Sequence, residues 1–181
     1  ESVHELIDRV YVVDDGSIDS TREVVGELAM TDARIELIEQ GSNRGVGRAI
    51  ITGYQRASAD ACDLVVVVGG DHQMPMEQIP ELLDPLVEGR ADYTKGNRFL
   101  MPDTGLDDMP WTRYLANALI SIMTKVASGY YKIFDVVDGF TAITRRAIDL
   151  VNWDGAWEGY GYPMDFLVRL NALLFHLGIP D

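Results

Sequence analysis

The chain has 181 residues, 47% of them hydrophobic, a formal charge of −14 and a single cysteine. That length suits one domain with a full core, and the absence of repeats or low-complexity tracts argues against a solenoid or a disordered tail. The acidic balance disfavours nucleic-acid binding, which needs excess Lys and Arg; no stretch reaches the roughly 18–20 apolar residues of a bilayer span and no signal peptide opens the chain, so a soluble protein is expected. Only Lys95, Lys125 and Lys132 of the 15 basic residues are lysine, a surface suited to a salt-rich cytosol. The lone Cys62 cannot form an internal disulfide, which favours a reducing, cytoplasmic setting.

Val10-Tyr11-Val12-Val13 is a short apolar run that stops at Asp14-Asp15-Gly16-Ser17, and reads as a strand followed by a polar turn. Asp19 or Ser20 then caps a helix over residues 20 to 30, in which Val24, Val25 and Leu28 recur at helical spacing. Ile35 to Ile38 resumes a strand, Gln40 to Gly45 is a loop, and a helix runs from about Val46 to Ala59. Leu64 to Val68 is apolar on both faces, as a covered parallel strand is, and ends at Gly69-Gly70-Asp71. A helix over Met76 to Val87 follows, then a strand over Ala91 to Thr94 and a helix over Trp111 to Ala127 with Pro110 in its first turn. Val136 to Ile143 reads as a strand interrupted by Gly139, and Met164 to Leu177 as a last helix ending at Gly178. Alternation of strand and helix predicts an α/β fold, a mostly parallel sheet with helices on both faces. Ligands gather at the carboxyl ends of such strands, so Asp14-Asp15 and Gly69-Gly70-Asp71 are expected to converge on one crevice.

Several blocks carry chemistry. Val12-Val13-Asp14-Asp15-Gly16-Ser17-Ile18-Asp19-Ser20-Thr21 resembles the VDDGSxDxT segment of family 2 glycosyltransferases. In the same order, Asn43-Arg44-Gly45-Val46-Gly47-Arg48-Ala49 resembles the family's NxGxxxA loop, Asp71-His72-Gln73-Met74-Pro75 its metal region, and Gly96-Asn97-Arg98-Phe99 its G-x-R-F element. Asp138 to Ala142 and Gly161-Tyr162-Pro163-Met164-Asp165 match later blocks. The resemblance spans nearly the whole chain and is nearest to the dolichyl-phosphate mannose or glucose synthase-like branch. It implies the GT-A (Rossmann-like) fold in a single catalytic domain over residues 1–181, without the first strand and C-terminal extension such proteins usually carry. The implied activity is transfer of a sugar from a GDP- or UDP-linked donor to a polyprenyl or dolichyl phosphate with inversion, using Mg²⁺ or Mn²⁺.

Each block suits one part of that chemistry. Asp14 and Asp15 can accept hydrogen bonds from a base N–H or a ribose hydroxyl, and Gly16 lets the backbone turn closely; a solvated Asx turn is the competing reading. Asn43, Gly45 and Gly47 open a helix whose amides favour phosphate, with Arg44 or Arg48 adding charge, though an ordinary helix-start loop explains them as well. Ile50 stands where a dinucleotide fingerprint needs its third glycine, which disfavours an oxidoreductase. By resemblance, Asp71 is the last acid of a D-x-D metal motif and Gln73 a further metal ligand, with Gly70 between Asp71 and the missing first acid, whose place Gly69 takes. Metal is therefore expected mainly together with nucleotide, and an inactive site is the rival. His72 is a bystander or an added ligand. Arg98 pairs with phosphate or forms a surface salt bridge. Asp165 orients or deprotonates an acceptor hydroxyl, or is a solvated helix acid; a phosphate acceptor, already anionic at neutral pH, needs no base. Trp153, Trp157, Tyr160 and Tyr162 line a sugar pocket or pack as an aromatic corner. The apolar helix after Trp111 is core or a membrane-facing surface. Alternatives to the lipid acceptor are a saccharide hydroxyl and a noncatalytic nucleotide-sugar binding module.

Overall fold

The computed structural model describes residues 5–96, 119, 122, 123, 126 and 139–177. The chain divides into two compact units, Glu1–Cys62 with Trp157–Tyr162, and Asp63–Ala156 with Pro163–Asp181.

In the first unit, strand β1 (Val10–Asp14), helix α1 (Thr21–Thr31), strand β2 (Ile35–Glu39) and helix α2 (Val46–Ala59) follow one another. β1 and β2 are parallel, with Val10 opposite Ile35 and Asp14 opposite Glu39. A parallel pair needs a crossover, and α1 supplies it. The turn into α1 is held by Asp19, whose Oδ1 accepts from the Thr21 amide at 3.1 Å and hydroxyl at 2.5 Å, while Ser20 makes no side-chain cap. α2 begins and ends where the pattern predicts, because Gly45 at φ +99° cannot continue a helix backwards and the chain turns at Asp60. Its Ile51, Tyr54 and Ala57 are each 1% exposed and form this unit's core with Val25. Tyr11 of β1 donates to Asp60 Oδ2 at 2.6 Å and ties the strand to the end of α2.

The second unit contains β3 (Leu64–Val67), a 3₁₀ turn (Met76–Gln78), α3 (Ile79–Val87), β4 (Tyr93–Lys95), β5 (Thr141–Thr144), α4 (Arg145–Leu150) and α5 (Tyr162–Leu177); Tyr162 itself groups with the first unit. β5 lies between β3 and β4 and is antiparallel to both. The parallel pairing expected of most of the sheet is thus found in β1–β2, whereas this second sheet takes a late strand of opposite direction into its middle. Ala142 and Ile143 of that central strand are fully buried, and Ile79, Leu82, Leu86, Ile148, Phe166 and Leu167 are further buried apolar side chains of this unit's core, with Phe166 edge-on to Tyr93 of β4. β3 is half-buried along its length rather than sealed. α4 has too few residues to show a helical period; Thr144 sets its start by accepting from the Ala147 amide at 3.3 Å. α5 starts two residues ahead of the pattern because Pro163 suits a first turn. Leu119, Ile122, Met123 and Val126, inside the helix expected after Trp111, are helical.

Candidate functional site

The acidic turn after β1 is built from the inside. Asp14 is buried at the strand's carboxyl end, and its two carboxylate oxygens accept from the Ser17 amide at 3.0 Å and from Arg22 Nε at 2.6 Å. Hydrogen bonding from Ser17, and then the Arg22 guanidinium, hold its carboxyl at about 2, below the ordinary carboxylate range. Gly16, at φ +86°, is required: a Cβ there would stand 2.6 Å from the Asn43 amide nitrogen. Asp15 reaches across, accepting from the Arg44 amide at 2.7 Å through one oxygen and from the Gly45 amide at 2.8 Å through the other. Asn43 is exposed at the head of that loop. The two aspartates thus have separate work. Asp14 shapes its own turn, and Asp15 stitches that turn to the loop before α2, keeping lone pairs to offer a ligand.

The start of α2 differs from the phosphate cradle anticipated for Asn43, Gly45 and Gly47. Two of the amides such a cradle would use already donate to Asp15, and the Arg48 amide donates to the Glu158 carbonyl at 3.0 Å. Residues 157–162 cross this helix end as a strap. A Cβ on Gly45 would stand 2.6 Å from the Glu158 oxygen, and one on Gly47 would stand 2.6 Å from the Trp157 oxygen and 2.7 Å from Tyr162 Cβ. These glycines are here to let one backbone approach another. The Glu158 carboxylate faces Arg44 and Arg48 at 3.5 and 3.6 Å. Nothing in the local sequence marks Glu158; only its place beside the Gly-Tyr block hinted at it.

In the second unit, Gly69-Gly70-Asp71 follows β3. Asp71 is exposed, and its Oδ1 accepts from the Gln73 amide at 3.2 Å, a tight turn that puts His72 at φ +59°. Gly70 faces open space, whereas a Cβ on Gly69 would meet Asp71 Oδ1 at 3.1 Å. Among the described residues no three His, Cys, Asp or Glu side chains gather as a metal cluster. One exposed carboxylate with Gln73 beside it fits a divalent ion that arrives with a diphosphate supplying the remaining oxygens, and does not fit a cage made by protein alone. Asp14–Asp15 belongs to the first unit and Asp71 to the second.

Asp165 is committed elsewhere. Its Oδ2 accepts from Arg169 Nε at 2.7 Å, one turn along α5, and Arg169 donates to the carbonyls of Asn152 at 2.6 Å, Asp154 at 3.2 Å and Gly155 at 2.9 Å. The pair fastens α5 to the loop before it. Of the aromatic residues, Trp153 is a packing residue, stacked on Phe166 with centroids 5.6 Å apart and donating to the Ile148 carbonyl. Tyr162 is buried against Gly47, while Trp157 and Tyr160 are exposed on the strap. Arg98 lies outside the described residues. Leu119, Ile122, Met123 and Val126 are all exposed, and no helix among the described residues is long and apolar enough to cross a membrane.

Comparison with known proteins follows the same lines. The chain is 27% identical over 157 residues to the UDP-N-acetylglucosamine–dolichyl-phosphate N-acetylglucosaminyltransferase of Methanococcus voltae, covering 80% of this chain and 62% of that protein. It is 27% identical over 171 residues to the polyprenol monophosphomannose synthase of Mycolicibacterium smegmatis, covering 92% and 63%. The chain therefore spans under two thirds of the length of either relative. Glucosyl-3-phosphoglycerate synthase from Mycobacterium tuberculosis, solved with Mn²⁺, uridine diphosphate and glucosyl-3-phosphoglycerate, superposes with a TM-score of 0.60 at 20% identity, over 96% of this chain and 57% of that one. That likeness bears out the GT-A α/β fold. Residues 1–151 match the model of glycosyl transferase family 2, and the chain belongs to that family.

Proposed function

We propose that the chain is the catalytic core of an inverting transferase that moves a sugar from a GDP- or UDP-linked donor onto a polyprenyl or dolichyl phosphate. The observation that carries it is the family match, shared with relatives named for sugar transfer to dolichyl phosphate and for polyprenol monophosphomannose synthesis. Asp15 and Asn43 offer oxygens to the nucleoside, with Asp14 keeping their turn in shape and Gly45, its amide held by Asp15, letting the loop pass close. Asp71 and Gln73 hold Mg²⁺ or Mn²⁺, Gly70 lets the backbone come close, and Arg98 takes a phosphate. The divalent ion supplies charge neutralisation at the diphosphate as it leaves. A phosphate acceptor arrives already ionised and needs no base, which agrees with Asp165 being tied to Arg169; a saccharide hydroxyl would need Asp165 released. A lipid acceptor also requires contact with a membrane, at its cytoplasmic face in this reading. The exposed helical Leu119, Ile122, Met123 and Val126 offer apolar surface of the kind a peripheral contact uses.

The test is a radiolabel assay on a full-length preparation with Mn²⁺. Sugar moving from a GDP- or UDP-linked donor to polyprenyl phosphate is the expected result, and no transfer from any such donor would sink the proposal. Gly69, in place of the first metal acid, favours one second reading, a noncatalytic nucleotide-sugar binding module. Calorimetry giving donor binding without turnover would establish it.

A further inference from the structure

We infer that Arg44 and Arg48 form a phosphate site that the chain fills with its own Glu158 carboxylate, so that Glu158 acts as a displaceable counter-anion on the strap over α2. Three observations meet here. First, both guanidinium groups lean on the same oxygen, Glu158 Oε1, at 3.5 and 3.6 Å, well beyond the roughly 2.7–2.9 Å of a tight charge-assisted hydrogen bond. The acid's side chain is 42% exposed, so it can turn out into water. Second, its main chain is fixed independently, since the Glu158 carbonyl accepts from the Arg48 amide at 3.0 Å and the glycines at 45 and 47 admit the strap against the helix. The carboxylate can therefore leave while the strap stays. Third, Arg48 Nε is buried and has no hydrogen-bond partner among the described residues, which leaves a charged donor under-satisfied where an anion with several oxygens would satisfy it.

The site is made by side chains and not by the helix end, because the Arg44 and Gly45 amides are spent on Asp15. A phosphate brings more acceptor oxygens and more charge than one carboxylate, so it wins the exchange when bound, and Glu158 keeps weaker anions out. The inference rests on the proposed function only for the source of the phosphate, a nucleoside diphosphate or a lipid phosphate monoester.

Calorimetry on the 181-residue chain separates the cases, titrating inorganic pyrophosphate, GDP, UDP and farnesyl phosphate into wild type, Glu158→Gln, Glu158→Ala and the Arg44→Gln/Arg48→Gln double variant. Both Glu158 variants are expected to bind pyrophosphate about three- to tenfold more tightly, the size of one or two partly exposed ion pairs, and the double variant is expected to lose it. Tightening confined to the diphosphates assigns the site to the donor; tightening for farnesyl phosphate assigns it to the acceptor. Unchanged or weaker pyrophosphate binding in the Glu158 variants overturns the inference, as does wild-type binding in the double variant. Failure of both Glu158 variants to fold also overturns it, since a displaceable side chain cannot be one the fold requires. None of these readings uses sugar transfer, so a negative transfer assay leaves them standing.

Discussion

Replacing Gly47 by alanine is expected to loosen the strap over α2, and the same substitution six residues along the helix is its control. A Cβ at position 47 would sit 2.6 Å from the Trp157 oxygen, 2.7 Å from Tyr162 Cβ and 2.8 Å from the Glu158 oxygen, where ordinary contacts are about 3.5–4.0 Å. These are main-chain or Cβ atoms, which cannot swing aside, so the strap must lift. Overpacking of this kind costs about 1–3 kcal/mol, against a gain of up to about 1 kcal/mol from the better helix former, leaving roughly 1–2 kcal/mol of net destabilisation. At Gly53 the new Cβ would meet only Val13 Cγ2, at 3.6 Å. Gly53→Ala should therefore stabilise by up to about 1 kcal/mol. At roughly 2–4 °C per kcal/mol for a chain this long, the two variants should melt about 2–12 °C apart, with Gly47→Ala the lower. Thermal unfolding followed by circular dichroism measures the gap. A Gly47→Ala variant that melts at or above Gly53→Ala would refute the packing argument and with it the placement of residues 157–162.

Gly69→Asp places a second carboxylate beside Asp71, from a Cβ 3.1 Å from Asp71 Oδ1, and Mn²⁺ binding without nucleotide should tighten about tenfold or more; an unchanged Mn²⁺ titration by paramagnetic resonance would count against a metal at Asp71. Asp14 and Asp32 are both held at about 2 in the fold, Asp14 by Ser17 and Arg22 and Asp32 by Arg34. Since the unfolded value is near 3.9, their contribution is complete above about pH 4 and is lost as pH falls toward 2; the denaturation midpoint should drop across that window, and less steeply in Asp14→Asn. Asp165→Asn should lower stability by about 1–2 kcal/mol through the freed Arg169, yet leave transfer to a phosphate acceptor intact, whereas lost transfer at unchanged stability would make Asp165 a base. With a charge of −14, the chain should melt higher in molar KCl than in dilute buffer, because screening relieves self-repulsion; equal melting points would remove the salt-rich setting.

By itself the sequence determined the elements whose signals are local. β1 ends where a β-branched run meets Asp14-Asp15-Gly16, and α2 runs from Val46 to Ala59 because Gly45 bars entry on one side and the apolar period runs out on the other. The ordered motif blocks carried the family, since each is a short string of residue types that survives without knowledge of its partners. The tertiary structure decided everything that depends on pairing at a distance. β5 enters between β3 and β4 and runs antiparallel to both, in a sheet expected to be mostly parallel, because strand order and direction depend on pairing with residues about 50 to 80 positions away. Asp15 meets the Arg44 and Gly45 amides across 29 and 30 residues, and Glu158 meets Arg44 across 114. Neither link has a period or a motif to announce it, so residues that looked like ligand groups became the ties that shape the loop. The exception is Asp165, whose partner Arg169 lies one helical turn away. That pairing was open to inspection in the sequence, but whether the acid faced an acceptor or a neighbour depended on the loop of residues 152–155 folding back to meet Arg169.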